Sequence, residues 1–185
     1  LAIEEVELKE ESVILHHKNM FVFAAYVGGI RISDLLQLRW QNYDGTNIKF
    51  YTQKTKEVIS IKLVSKGKEI MEKYSKLATI KTNKDFIFPL LKNDVDYSNP
   101  DVLFKAISSN TAYANKNLKE IIKKAKIEKN ISFHSSRHTW ATRALTKGMR
   151  IEHVSKLMGH GSLKTTMIYA KIVNEELDKA MDVFN

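Results

Sequence analysis

Five side chains that could act together on a phosphate group lie in separate segments of this chain. They are two arginines, a lysine, a histidine and a tyrosine: Arg31, Arg137, Lys54, His160 and Tyr169. A phosphoryl group in transit is surrounded by negative charge, so its enzyme needs fixed cations, a proton donor and a nucleophile. The set supplies all three without an obvious metal site. Together these residues could break and rejoin a phosphodiester bond.

Each arginine stands in a sequence context that suits a phosphate clamp. Arg31 follows two glycines in GGIRISDLLQLRW, and Arg137 lies in FHSSRHTWATRAL. A guanidinium can bind two phosphate oxygens in a planar fork. His134 and His138 are close enough to Arg137 to share one face of its helix or its first turn. We interpret His138 as a hydrogen-bonded core histidine. A metal site here is disfavoured because no carboxylate accompanies the histidines nearby.

The lysine lies between two segments of alternating apolar residues, in QKTKEVISIKL. That alternation predicts two strands, at 46–52 and 57–63, so Lys54 falls at or near the tip of a β-hairpin. Lys56 lies two residues away and competes for any role given to Lys54. A hairpin lysine on its own is usually a solvated side chain, so this assignment needs support from elsewhere.

The histidine and the tyrosine share one segment, LMGHGSLKTTMIYA. His160 follows Gly159 at the end of an apolar helix predicted at 151–158. Tyr169 lies nine residues after His160 in a further predicted helix. A tyrosine phenol has a pKa near 10. A cationic pocket would stabilise the phenolate and make attack on phosphorus feasible near neutral pH.

The remaining pattern predicts a mainly helical α+β domain. Both prolines fall within or at the end of a predicted loop at 89–100. We treat this loop as internal to one domain, because neither side of it alone holds the complete set of candidate residues. Ser33 could cap the second helix. The helices are predicted at 12–28, from Ser33 onward, and at 65–78, 101–127, 135–147, 151–158, 163–169 and 174–183.

Composition favours an anionic partner and excludes several kinds of site. The net charge is +9 with a pI near 9.5, and residues 101–150 carry eleven Lys or Arg against three Asp or Glu. The absence of cysteine excludes disulfides, thiolate metal sites and cysteine nucleophiles. No apolar run is long enough to span a membrane, and no signal peptide is evident. We therefore expect a cytoplasmic protein without a membrane partner.

These motifs together resemble the tyrosine recombinases, the phage-integrase family. The matching patterns are G-x-R-x-S-D-L, H-x-x-R-H-T-x-A-T and L-M-G-H-x-S-x-x-T-T-x-x-Y-A, and the similarity is greatest to integrases of prophages and conjugative transposons. The resemblance implies the tyrosine-recombinase catalytic-domain fold, with a small antiparallel sheet near residues 46–63. Family members also carry an N-terminal core-binding domain and often an arm-binding domain. Neither fits ahead of Arg31, so residues 1–185 are expected to form the catalytic domain alone.

The resemblance also selects between the two hairpin lysines. The family places its lysine between two strands, with a proline and a leucine following eight residues later. Counting eight from Lys54 gives Lys62 and then Leu63, so the leucine matches and the proline does not. This register favours Lys54 over Lys56.

The roles implied by the resemblance are those of a DNA strand transferase for integration or excision of a mobile element. The tyrosine attacks a scissile phosphate in duplex DNA and forms a 3′-phosphotyrosyl link. The lysine protonates the leaving 5′-oxygen, the arginines hold the non-bridging oxygens, and the two histidines donate hydrogen bonds or shuttle a proton. No cofactor, metal or ATP is implied, and the full-length protein is expected to form a tetramer on DNA. The implied site comprises Arg31, Lys54, His134, Arg137, His160 and Tyr169.

Three other functions remain open. A tyrosine-type DNA topoisomerase uses much the same residues and would relax supercoils without exchanging strands between two sites. A non-catalytic DNA-binding module would explain the basic charge but not the motif around Tyr169. A ribonuclease could use His134, His160 and Lys54, and would be indifferent to Tyr169.

Overall fold

Helices dominate the fold, and one β-hairpin interrupts them. The computed structural model describes residues 1–10, 12–77 and 82–170, which confirm the mainly helical α+β architecture. The predicted helix at 174–183 lies outside the described residues. Short 3₁₀ turns occupy Ala2–Glu5 and Trp40–Asn42. Seven α-helices lie in the described ranges: α1 (Val13–Tyr26), α2 (Ile32–Leu36), α3 (Ser65–Leu77), α4 (Pro100–Lys124), α5 (His134–Thr146), α6 (Ile151–Leu157) and α7 (Leu163–Ala170).

The two predicted strands are confirmed to within a residue at each end. β1 (Asn47–Tyr51) and β2 (Val58–Lys62) form an antiparallel pair in which Ile48 is opposite Ile61 and Phe50 is opposite Ile59. These four apolar side chains are buried on one face, while their neighbours along each strand face solvent. The alternation therefore fixes which face of the hairpin packs on the core.

Helix α1 forms the centre of the core. It packs against α3, α4 and α5, and its residues Met20, Phe23 and Ala24 are fully buried. A helix enclosed by neighbours on several sides needs apolar residues around most of its circumference, which explains its weakly amphipathic sequence. Tyr74 of α3 and Phe88 pack edge to face, with ring centroids 4.8 Å apart, and close one side of this core.

The turn from α1 into α2 differs from the sequence-based expectation. Gly28 and Gly29 follow α1 with φ values of +63° and +59°, a left-handed conformation that suits glycine. The cap of α2 is Arg31 rather than Ser33, which lies inside the first turn. Arg31 has the extended backbone of an N-cap residue, and its side chain makes no cap hydrogen bond. Its guanidinium is therefore available for other contacts.

A smaller apolar cluster joins the last three helices. Trp140, Ala141 and Ala144 of α5 pack with Val154 of α6 and with Met158, and Tyr169 of α7 belongs to the same cluster. The tyrosine is thus held by packing rather than placed on a free surface. None of the helices in the described residues is long and apolar enough to cross a membrane.

Candidate active site

Arg137 joins two chain segments at the centre of the site. Only 3% of the residue is exposed. Its Nη1 donates to the Gly29 carbonyl oxygen at 2.6 Å, and its Nη2 donates to the Met158 carbonyl oxygen at 2.5 Å. A β-carbon at Gly29 would lie 3.2 Å from Cγ of Arg137, which is tighter than an ordinary contact, and the positive φ of this residue also favours glycine. Burial lowers the pKa of Arg137 to about 10, which leaves it a cation at neutral pH.

Arg31 reaches the same place from the start of α2. Its Nη2 donates to the Gly159 carbonyl oxygen at 3.3 Å, next along the chain from the carbonyl that Arg137 contacts. These carbonyls follow α6, where helix geometry leaves carbonyl groups without helical partners and with partial negative charge. The two guanidiniums therefore lie close together, and their hydrogen atoms not used on these carbonyls can bind an anion.

His160 follows directly after those two carbonyls. Its Nδ1 lies 2.8 Å from the hydroxyl oxygen of Thr166, which is fully buried in α7. Burial and the neighbouring positive charges of Arg137, Arg31 and Lys54 lower the pKa of His160 to about 4. The imidazole is therefore neutral at pH 7, and it offers one N–H donor rather than two.

Tyr169 lies next to the cations but is largely enclosed. The residue is 3% exposed, and its ring centroid lies 5.4 Å from that of His138. Burial raises the pKa of Tyr169, and the positive charges of Arg137 and Arg31 offset that rise only in part. The cations thus favour the phenolate as expected, but in the free protein burial outweighs them in setting the pKa of Tyr169. The phenol stays protonated near neutral pH and must lose its proton as it reacts.

The two histidines of α5 extend this ring contact. The ring centroids of His134 and His138 are 4.6 Å apart, so His134, His138 and Tyr169 form a continuous series. Partial burial and the charges of nearby groups, Arg137 among them, lower the pKa of His134. The interpretation of His138 as a core histidine is wrong, because it is exposed. The buried positions of α5 belong instead to Ser136, Arg137, Trp140, Ala141 and Ala144.

The hairpin turn brings Lys54 to the site. Thr55 donates to the Gly159 carbonyl oxygen at 3.3 Å and lies 2.8 Å from the hydroxyl of Thr52, which fastens the turn to the segment before His160. The charge of Lys54 contributes to the lowered pKa of both His134 and His160, whereas the charge of Lys56 acts on Asp34. Of the two lysines, Lys54 is thus the one whose charge acts on both histidines, and its role as general acid stays a prediction.

Asp34 is a further candidate that sequence reasoning did not single out. It is 3% exposed, accepts a hydrogen bond from the backbone N–H of Gln53 at 2.8 Å and lies 4.0 Å from Nη1 of Arg31. It therefore connects an arginine of the site to the residue that precedes Lys54. Burial raises the pKa of Asp34, and the Gln53 N–H and nearby cations oppose that rise. The available signal was a carboxylate one helical turn after Arg31 and directly before two leucines.

Comparison with known proteins establishes the family. The model of the phage integrase family matches residues 5–176. The chain belongs to the phage integrase family. A tyrosine recombinase of Thermosipho africanus is 30% identical over 178 residues, which cover 94% of this chain and 53% of the relative. A second, the XerC recombinase of Pelotomaculum thermopropionicum, is 30% identical over 159 residues, covering 83% and 49% respectively.

Solved structures of the same fold extend the comparison. The XerH recombinase in a post-cleavage complex with a palindromic difH substrate has a TM-score of 0.69 and 21% identity, covering 99% of this chain and 49% of that one. A lambda integrase dimer bound to a core site has a TM-score of 0.61 and 16% identity, covering 86% and 53%. These likenesses confirm the predicted tyrosine-recombinase catalytic-domain fold. The chain spans about half the length of the curated relatives it matches.

The six residues selected from the integrase motifs lie on five different segments, which the fold brings to one place. The carbonyls of Met158 and Gly159 are its centre, because Arg137, Arg31 and Thr55 all donate to them. Within the described residues, no group of three or more His, Cys, Asp or Glu side chains could hold a metal ion. The arrangement offers positive charge, a neutral imidazole and a phenol around one point, a combination suited to transfer of a phosphoryl group.

Proposed function

We propose that this chain is the strand-cleaving and strand-joining part of a site-specific DNA recombinase. One observation carries the proposal: Arg31 and Arg137, separated by more than a hundred residues, contact adjacent carbonyls beside Tyr169. Two guanidiniums placed side by side repel each other, and the nearby carboxylate of Asp34 offsets only part of their positive charge. A phosphate between them would neutralise that charge.

The proposed cleavage step transfers a phosphoryl group from DNA to protein. The phenol oxygen of Tyr169 attacks phosphorus and loses its proton, while the bond from phosphorus to the 5′-oxygen breaks. The ammonium of Lys54 supplies the proton that the leaving oxygen needs. The product is a 3′-phosphotyrosyl link, and attack by a 5′-hydroxyl reverses the step. ATP is not required because the link conserves the energy of the phosphodiester bond.

The remaining side chains stabilise the charge that develops on the non-bridging oxygens. Arg31 and Arg137 supply forked donors at fixed positions, which cost little reorganisation during the reaction. His160 adds a neutral donor: when the Thr166 hydroxyl donates to Nδ1, the imidazole proton lies on Nε2 and points away from that bond. We propose that His134 relays the proton of Tyr169 by way of His138, whose ring contacts the rings of both.

Duplex DNA is the substrate that fits the charge of the chain. The net charge of +9 favours the phosphate backbone, and such contacts supply much of the affinity and nearly all of its salt dependence. We propose that residues 1–185 form a single catalytic domain that works within a longer protein. Other domains of that protein would complete the grip on DNA. We expect weak, salt-sensitive binding and little sequence discrimination from this chain alone, and action in the cytoplasm, where the DNA lies.

Assembly into a tetramer on DNA is proposed from a groove between α1 and α5. The groove has a volume of about 580 Å³ and is lined by apolar side chains together with Arg143 and Lys147. Among the described residues, Nε1 of Trp140 and Nη1 of Arg143 are buried without a hydrogen-bond partner. The last residues of the chain, from 174 to 185, are apolar and acidic in sequence, which complements this groove. We propose that this segment, which lies outside the described residues, packs on its own domain or docks in the groove of another copy, and that only the second arrangement joins copies on DNA.

Covalent trapping tests the proposed activity directly. The substrate is a nicked duplex of randomised sequence, which loses the 5′-hydroxyl fragment after cleavage. Without that fragment the step cannot reverse, so a phosphotyrosyl adduct accumulates and its DNA can be sequenced. The proposal expects a DNA adduct that survives denaturation. Plasmid relaxation without strand exchange between two sites would favour a topoisomerase. DNA binding without any adduct would favour a non-catalytic module, and cleavage of RNA alone would favour a ribonuclease.

A further inference from the structure

A second polar cleft opens beside the candidate active site. It has a volume of about 250 Å³ and lies between the start of α2, the middle of α4 and the start of α5. Arg31, His134 and Arg137 line part of it, so the cleft is continuous with the site. None of its lining residues carries a carboxylate. The rest of its polar lining consists of neutral groups: Ser33, Thr111, Asn115, Ser132 and Ser136.

Asn115 is oriented by a bond to the start of α5. Its Oδ1 accepts a hydrogen bond from the backbone N–H of Phe133 at 2.8 Å, which identifies the other end of the amide as the NH₂ group. Thr111 lies one helical turn earlier on the same face of α4. Both side chains are half-buried. Across residues 1–10, 12–77 and 82–170, neither Nδ2 of Asn115 nor Oγ1 of Thr111 has a hydrogen-bond partner.

The position of these donors relative to the arginines suits a continuous nucleic-acid strand. Successive phosphates of one DNA strand advance by about 3.4 Å along the helix axis. The strand also winds around that axis, so neighbouring phosphates lie farther apart than this rise. A strand with one phosphate at Arg31 and Arg137 can therefore carry its next phosphate into the cleft that extends from them. Neutral Ser, Thr and Asn side chains are common partners of backbone phosphates, and such contacts fix the register of the strand.

We propose that the cleft binds the phosphate adjacent to the scissile phosphate, with Thr111 and Asn115 donating to its non-bridging oxygens. This inference rests on the proposed function, since it requires a DNA strand held at the two arginines. Two phosphates held at once fix the direction of the strand, and thereby the line along which Tyr169 approaches phosphorus. Thr111 and Asn115 are binding residues in this account, because they do not touch the reacting atoms.

The test combines two variants with a modified substrate. Asn115→Asp keeps an oxygen for the Phe133 N–H and replaces the donor by an anion. Thr111→Val removes the hydroxyl at nearly constant volume. Ser109→Ala is the matched control, because Ser109 is exposed on the same helix and does not line the cleft. The duplex carries a sequence recovered by covalent trapping, with a neutral methylphosphonate placed one position to either side of the scissile phosphate.

Of the two methylphosphonate substrates, the one whose neutral group occupies the cleft should form the wild-type adduct about tenfold more slowly. That factor is expected for loss of a hydrogen bond to a charged group. Thr111→Val and Asn115→Asp should each be slower by a similar factor on unmodified DNA. Thr111→Val should keep only part of the wild-type sensitivity to the methylphosphonate at that position, because Asn115 still donates there. Asn115→Asp should react at least as fast on that methylphosphonate as on unmodified DNA, because its carboxylate repels a charged phosphate and not a neutral group. Ser109→Ala should match the wild type throughout. The salt dependence of Thr111→Val should barely change, because a neutral donor releases no counterions.

The outcomes separate this inference from the proposed function. If the wild type forms no adduct that depends on Tyr169, both are wrong. If it does, but Thr111→Val and Asn115→Asp react as fast as the wild type and remain equally sensitive to the methylphosphonate, the inference alone is overturned. Circular dichroism melting checks that the variants fold. If Asn115→Asp does not fold, Thr111→Val decides the result.

Discussion

Replacing Asp34 should separate the stability of this fold from its activity. The carboxylate accepts from the Gln53 N–H at 2.8 Å and lies 4.0 Å from Arg31, so it holds the hairpin turn and an arginine in one arrangement. A hydrogen bond to a charged group contributes about 1.5–3 kcal/mol. If Asp34→Ala raises the activation free energy by about 2 kcal/mol, because Lys54 and Arg31 are no longer held in position, it should slow DNA adduct formation by about 30-fold.

Removing only the charge of Asp34 should not lower the stability of the fold. Burial raises the pKa of Asp34 above its unfolded value, so the ionised carboxylate destabilises the native state, and the penalty disappears as pH falls through the folded pKa. Asp34→Asn keeps an oxygen for the Gln53 N–H. It should therefore unfold at pH 7 with a free energy no lower than that of the wild type, while still reacting more slowly.

Two measurements decide this prediction: the single-turnover rate of adduct formation, and urea unfolding at pH 7. A 5′-bridging phosphorothioate, whose leaving group needs little protonation, should restore only the part of the Asp34→Ala loss that comes from Lys54. Asp44→Ala is the control, since Asp44 likewise accepts from the backbone, with two N–H bonds where Asp34 has one, but lies exposed in the turn before β1. An Asp34→Ala rate within threefold of the wild type, or Asp34→Asn as unstable as Asp34→Ala, would refute the reasoning.

The remaining predictions concern the cations and pH. Arg31→Ala and Arg137→Ala should each slow cleavage by about 3 kcal/mol of lost transition-state stabilisation, and lysine should rescue poorly; Arg137→Ala should also lower stability, because two backbone carbonyls lose their donor. Near-normal cleavage by either alanine variant would show that its arginine does not act in the site. Lys54→Ala should be slow on normal DNA and largely restored on the bridging phosphorothioate, with Lys56→Ala nearly unaffected; the reverse would move the general acid by two residues. Burial lowers the pKa of His17 from 6.5 to about 4, so its contribution to stability is lost as pH falls through that range, by about 2 kcal/mol between pH 7 and 5. By urea unfolding, His17→Phe should lose less stability between pH 7 and 5 than the wild type loses. An equal loss in the two proteins would contradict this prediction. Sedimentation should show a monomer without DNA, and a stable DNA-free dimer dissociated by deleting residues 174–185 would show that assembly precedes DNA binding.

The sequence predicted the local elements well because their signals are local. Alternating apolar residues predicted both strands of the hairpin, and the Gly28–Gly29 pair predicted the end of α1. The motifs also identified the residues that the fold brings together. Arg31 and Gly159 are 128 positions apart, and only the resemblance to a family connected their segments before the structure did.

Features that depend on tertiary burial were not predicted. The cap of α2 is Arg31 rather than Ser33, because the two left-handed glycines set where the chain enters the helix. Burial outweighs the nearby cations in setting the pKa of Tyr169, a balance that spacing along the chain does not contain. Asp34 contacts the hairpin 19 positions away, so its importance emerges only once the hairpin is placed.

The most direct test of the central claim is the Tyr169→Phe variant on a nicked duplex. The change removes one hydroxyl from a packed ring, so the variant should fold and bind DNA nearly as the wild type does. The wild type should form an adduct that survives denaturation and maps by mass spectrometry to Tyr169, and the variant should form none. An adduct that persists in Tyr169→Phe at the wild-type rate would contradict the account and assign the nucleophile to another residue.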